Sequence, residues 1–162
     1  MAGTQMRKKF IGIDQKQHDD SAPQWLDIEK LAIVELSSED DAFRIESALL
    51  PDNGTGWRAA EPGEQIIRLR FDNPQRLQWI RLKFEESEME RTQEFVLRWS
   101  EDNGQSYQEV IRQQWNFNPA GATTEVENYR LNLKAVTVLE LHINPDISGR
   151  RAFASLQEFR LA

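Results

Sequence analysis

The chain has 162 residues, 39% of them hydrophobic and 29% charged, with no cysteine and a net charge of −7. That size and balance fit one globular domain and exclude a disordered tail, a disulfide scaffold and thiol chemistry. Neither half of the chain carries a basic excess, which argues against a nucleic-acid backbone as the main partner.

The first segment, 1–24, reads as an arm, and a domain is expected over 25–162. The basic stretch Arg7-Lys8-Lys9 is followed by only four residues, Phe10 to Ile13, before Asp14. A secretory signal needs roughly 7–15 apolar residues there, so a cytoplasmic location is expected. No run approaches the roughly 18 apolar residues of a membrane span.

From Trp25 onward the pattern is one of short alternating runs. Gln24–Lys30 and Glu46–Leu50 are the only helical candidates, both short. Leu31–Leu36 is a first apolar run. Ile67, Leu69 and Phe71 alternate with Arg68 and Arg70, the period of a half-buried strand. Pro74 then breaks the chain, and Ile80, Leu82 and Phe84 resume the alternation. Phe95, Leu97 and Trp99 repeat it, and Asp102-Asn103-Gly104 supplies a tight turn into Tyr107–Gln114. Further strands are expected at Thr124–Leu133, Val136–Ile143 and Ala152–Leu161. About eight strands with regular turns predict an all-β antiparallel sandwich.

Four stretches in this order carry a resemblance: Ala32–Ser38, Ala48–Trp57, Arg98–Tyr107 and Ala154–Arg160. Together they resemble the discoidin, or coagulation factor 5/8 type C, family, whose members are galactose-binding-domain-like jelly rolls. The resemblance implies a non-catalytic binding module that holds its ligand in loops at one end of the sandwich. It also implies a site for calcium, with Asp52, Thr55 and Glu158 giving side chains and Leu49 and Asn53 giving carbonyls. Here Asp52-Asn53-Gly54 departs from the family's direct Asp-Gly pair by one residue. A turn tethered by Glu158 without metal is the alternative. Members of this fold in DNA-repair scaffolds and ubiquitin-ligase complexes bind proteins instead.

Several residues stand out as ligand candidates. By the resemblance, the loop Glu85–Arg91 falls at the binding end with Ser38–Phe43, which nominates Asp40, Asp41, Glu88 and Arg91. The fucose-lectin pattern of this fold is broken, since of its side chains only Arg91 survives. Trp115, Asn116 and Phe117 combine an aromatic platform with amides, the mix that sugar sites use. If the strand continues its alternation, Trp115 and Phe117 belong to the core instead. Trp57 is expected in the core. Trp79 points away from Ile80 and Leu82, to an interface or beneath the segment around Trp25. With His18 and His142 as the only imidazoles, no catalytic constellation can be assigned. A carbohydrate or glycosylated ligand is the expected partner. A protein-interaction module of the same fold is the rival, and a ligand-free structural subunit a third reading.

Overall fold

A computed structural model describes Arg7, residues 23–50 and residues 54–162. Most of the expected arm, and Asp52 and Asn53 with it, lie outside the described residues.

Among the described residues, two one-turn helices, α1 (Ile28–Leu31) and α2 (Glu46–Leu49), accompany eight strands. These are β1 (Ala32–Leu36), β2 (Trp57–Arg58), β3 (Gln65–Glu85), β4 (Arg91–Ser100), β5 (Gln108–Phe117), β6 (Thr124–Asn144), β7 (Ser155–Leu156) and β8 (Glu158–Leu161). The main sheet runs β1-β3-β6-β4-β5, β8 adds to β3, and β2 pairs with β7 alone; all pairings are antiparallel. The expected all-β jelly roll is the fold.

The two longest strands correct the sequence reading. Residues 67–84 form one strand rather than two, and so do residues 124–143. Pro74 lies where the β3–β6 register slips three times, between Arg70 and Trp79. A residue without an N–H is tolerated at such an irregularity, where the ladder does not need its donor. The slip lets each long strand serve both layers. The first half of β3 pairs with β1 and with the end of β6; its second half pairs with β8 and with the start of β6. The inward residues of the two layers then meet, as in the stacked pair Phe84 and Phe95, 5.1 Å between ring centres.

The outward face of the main sheet carries a row of charges set by register. Glu35 faces Arg68, Arg68 faces Glu140, and Glu140 faces Arg98 across β1, β3, β6 and β4. Trp79 is covered rather than free: Trp25 lies 5.4 Å from it and the Arg130 guanidinium 3.5 Å from its ring centre. Trp57 is buried, its indole N–H donating to the Ser38 carbonyl at 3.1 Å.

Candidate functional site

The short β2–β7 pair brings together segments almost a hundred residues apart, placing Arg58 and Phe153 at one end of the sandwich. Close approach is built in at Gly56, whose φ is +72° and where a Cβ would stand 2.8 Å from the Leu156 carbonyl. Only glycine fits that turn. The opening has a volume of about 190 Å³ and is lined by Phe43, Arg58, Glu86, Glu88, Phe153 and Ser155 among others.

Each wall has a local cause. Asp40 Oδ1 accepts from the Ala42 amide at 2.9 Å, and the Phe43 amide donates to the Asp40 carbonyl at 2.8 Å. This tight turn seats Phe43, whose carbonyl accepts from the Arg58 amide at 3.1 Å. Across the opening, Glu86 Oε1 accepts from the amides of Glu88 (3.0 Å) and Met89 (2.8 Å) and so shapes the acidic loop. Its other oxygen pairs with Arg91 at 3.2 Å. Arg91 in turn donates to the Phe153 carbonyl at 2.7 Å, fixing the backbone beneath the Phe153 ring. That ring is half-buried, with the guanidinium carbons of Arg58 and Arg151 at 5.6 and 5.8 Å from its centre.

The sequence nominees divide accordingly. Glu88 lines the opening and Asp40 builds its rim, with Asp41 exposed at the tip of that turn. Arg91 is only 2% exposed, so its part is to hold the loop and Phe153 rather than to meet a ligand. Phe117 is a correction: it is fully buried, with Arg91 over its ring at 5.8 Å. Trp115 is a second: it packs partly buried against the core, and its indole nitrogen is buried. Asn116 is exposed on the other side of β5, where its Oδ1 accepts from Thr92 at 2.6 Å. The alternation of β5 sends 115 and 117 inward and 116 outward, and none of the three lines the opening. Arg58 and Phe153 were missed. Arg58 adjoins the recognised Trp57, and Phe153 sits between two alanines just before the closing strand.

The described residues flanking the turn expected to hold calcium are engaged by other side chains. Arg160 donates through Nη1 to the Leu49 carbonyl at 2.8 Å and through Nη2 to the Leu50 carbonyl, the free carbonyls at the end of α2. Glu158 is paired with Arg81, Nε to Oε2 2.9 Å. Thr55 donates to Ser47 Oγ at 3.1 Å. Calcium takes about 6–8 oxygens, and a guanidinium already seated on these carbonyls repels a second cation. The expected ligands among the described residues, Leu49, Thr55 and Glu158, are thus each engaged by another side chain. Calcium and a chelator are each expected to leave the melting temperature unchanged within about 1 °C, while Arg160→Ala lowers stability by about 1.5–3 kcal/mol. A calcium-dependent rise of several degrees in a thermal scan would overturn this.

No curated protein sequence matches the chain significantly. Solved structures do resemble it. CpGH89CBM32-5 from Clostridium perfringens, in complex with GalNAc-β-1,3-galactose, superposes with a TM-score of 0.62 at 17% identity, covering 85% of this chain and 99% of that one. The family 32 carbohydrate-binding module of C. perfringens NanJ, in complex with galactose, gives 0.58 at 12% identity, covering 85% and 96%. A pectin-binding carbohydrate-binding module gives 0.58 at 19%, covering 81% and 89%. These likenesses show the galactose-binding-like jelly roll. The family is set by sequence: the family model described as the XRCC1 N terminal domain matches residues 26–137, well over half of the chain, and the protein belongs to that family.

Proposed function

We propose that the protein is a non-catalytic binding module that holds a single sugar ring in the opening between Phe43, Arg58, Glu88 and Phe153. The observation that carries this is the half-buried Phe153 ring, locked from below by Arg91 and set beside a guanidinium and carboxylates. A pyranose offers an apolar face to an aromatic ring and hydroxyls to charged groups, so this combination is complementary to it. The opening, about 190 Å³, falls below the usual range for drug-sized ligands and suits one ring rather than a long chain. The solved modules of this fold that carry galactose and GalNAc-β-1,3-galactose support the same ligand class. A flat protein interface buries around 800 Å² per partner. The Trp79 face, the other surface considered for one, is already covered by Trp25 and Arg130.

The test is a thermal-shift panel of galactose, N-acetylgalactosamine, glucose and galacturonate. Ligand at about 100 times its dissociation constant stabilises by about 2.7 kcal/mol, which raises the midpoint by roughly 5–10 °C for a chain of this size. One sugar class is expected to do so at ~100 mM, given a millimolar site. Phe153→Ala and the exposed Arg58→Gln should each abolish the shift, Arg58→Gln without moving the ligand-free midpoint. A flat response to all sugars would sink the reading.

A further inference from the structure

Beside β1, with no lining residue in common with the Phe153 opening, lies a second recess of about 300 Å³. One wall is the inward face of β1, Ala32, Val34 and Leu36; the other is formed by Ile45 and Leu49 at α2. Among the described residues, every charged side chain lining it is a glutamate: Glu29, Glu39 and Glu46. The strand itself is an edge. Within the described sheet β1 pairs with β3 alone, so alternate N–H and C=O groups along its other side have no partner strand there. On its outward face Ile33 is 64% exposed. An edge with no partner strand among the described residues, an apolar trough beside it and a rim of one charge sign thus coincide over a five-residue strand.

We infer that this edge is a docking site for an extended peptide of another protein, which adds a strand to β1. Two apolar side chains of the peptide, spaced i and i+2, enter the trough, and Lys or Arg residues flanking them meet the glutamate rim. Main-chain bonds to the edge supply affinity and the trough reads alternate side chains, the general logic of strand addition. The length fits a short motif, since five residues of strand span about 14 Å. Charge decides the kind of partner. A second copy of this chain would bring its own Glu29, Glu39 and Glu46 against the same residues on a molecule of net charge −7. Like charges so placed oppose self-pairing, whereas a basic peptide is drawn in.

The test uses two nonapeptides blocked at both ends, Lys-Lys-Val-Thr-Val-Thr-Val-Lys-Lys and the same sequence with Glu in place of every Lys. Titration at low salt, followed by amide hydrogen exchange, reads affinity and location together. The basic peptide is expected to bind with a dissociation constant of about 10–100 μM, the acidic one at least about tenfold more weakly. Amides of 32–36 should gain protection on binding. The charge reversal Glu29→Lys with Glu46→Lys, both at exposed positions, should invert the preference between the two peptides. Glu39 is left in place because its carboxylate accepts from the Ile45 amide at 2.7 Å. No binding of the basic peptide at about 1 mM, equal affinity for both peptides, or binding without protection of β1 would each overturn the proposal. So would a concentration-dependent dimer that protects the same amides. Sugar binding at the Phe153 opening is read by different variants and is unaffected by any of these results.

Discussion

Glu140→Gln should destabilise the protein by about 2–3 kcal/mol at pH 7, lowering the melting temperature by roughly 5–10 °C. Glu140 is fully buried on the outward face of the main sheet, covered by the arginines it pairs with. Arg68 Nε donates to Oε2 at 2.9 Å, and Arg98 donates to Oε1 from the opposite neighbour strand. Burial alone would push this carboxyl's pKa up. The hydrogen bonds and charges of Arg98 and Arg68 together outweigh it and hold the pKa below the ordinary carboxylate value. Removing the charge leaves two guanidiniums side by side over one residue. Both are partly exposed, 28% and 40%, so water recovers part of the loss, which is why the expected cost falls below the 3–5 kcal/mol of a fully enclosed pair. The sign with pH follows from the depressed pKa. The stabilisation is present above the unfolded pKa and is lost as pH falls through the lower folded value. Urea unfolding of wild type and Glu140→Gln should therefore differ at pH 7 and converge as pH falls through the lowered folded value. A constant difference down to that pH would mean the carboxylate's charge is not what holds the row together.

That row was half legible in the sequence. Arg68 and Arg70 read as outward residues because the apolar alternation around them is unbroken. That Glu140 would meet both Arg68 and Arg98 depends on the order β3-β6-β4 and its register, which periodicity within a strand does not encode. The same distinction explains the long strands. Alternation marks Ile67–Phe71 and Ile80–Phe84 separately, but whether the ladder continues past Pro74 is decided by the partner strand.

The site divides along the same line. The loop around Glu88 was located by its place in the order of motifs. Phe153 and Arg58 became a site only through the β2–β7 pairing, a contact between distant segments. Trp115 and Phe117 went the other way: composition suggested a sugar platform, and strand alternation, already visible in Ile111 and Gln113, placed them inside. Arg160 is the case that local reading cannot reach. An arginine alternating with Phe159 and Leu161 looks like any outward residue of a strand, and only the fold brings it onto the carbonyls of α2.

Glu125→Gln is expected to do the opposite of Glu140→Gln and stabilise the protein at neutral pH. Glu125 is 1% exposed, on β6 beside Phe84, and neither carboxyl oxygen has a hydrogen-bond partner within the described protein. The seam between β5 and β6 around it is polar. Gln93 on β4 faces Trp115 on β5, each with buried polar atoms, and Gln113 donates to Glu127 and accepts from Tyr129 at 2.9 Å. Burial, and then the charge of Glu127, push the Glu125 pKa up to about 8. The folded state therefore holds a proton that the unfolded chain releases near its ordinary value of 4.5. Stability is then fully present below that unfolded pKa and falls as pH rises toward 8, by at most about 1.4 kcal/mol per unit. Over the span to pH 7 the loss is on the order of 3 kcal/mol. An amide in the same place keeps the shape of the neutral acid and cannot ionise. Glu125→Gln should match wild type near pH 4 and exceed it by about 2–3 kcal/mol at pH 7, a gain of roughly 5–10 °C in melting temperature. Glu127 and Tyr129 share the seam, so the slope belongs to the cluster, and the variant isolates the part that Glu125 contributes. Parallel stability curves for the two proteins between pH 4 and 8 would show that Glu125 is ionised in the folded state, with a partner that compensates its burial. A gap that opens with pH would show that the chain keeps a neutral acid between its two layers at a real cost in stability.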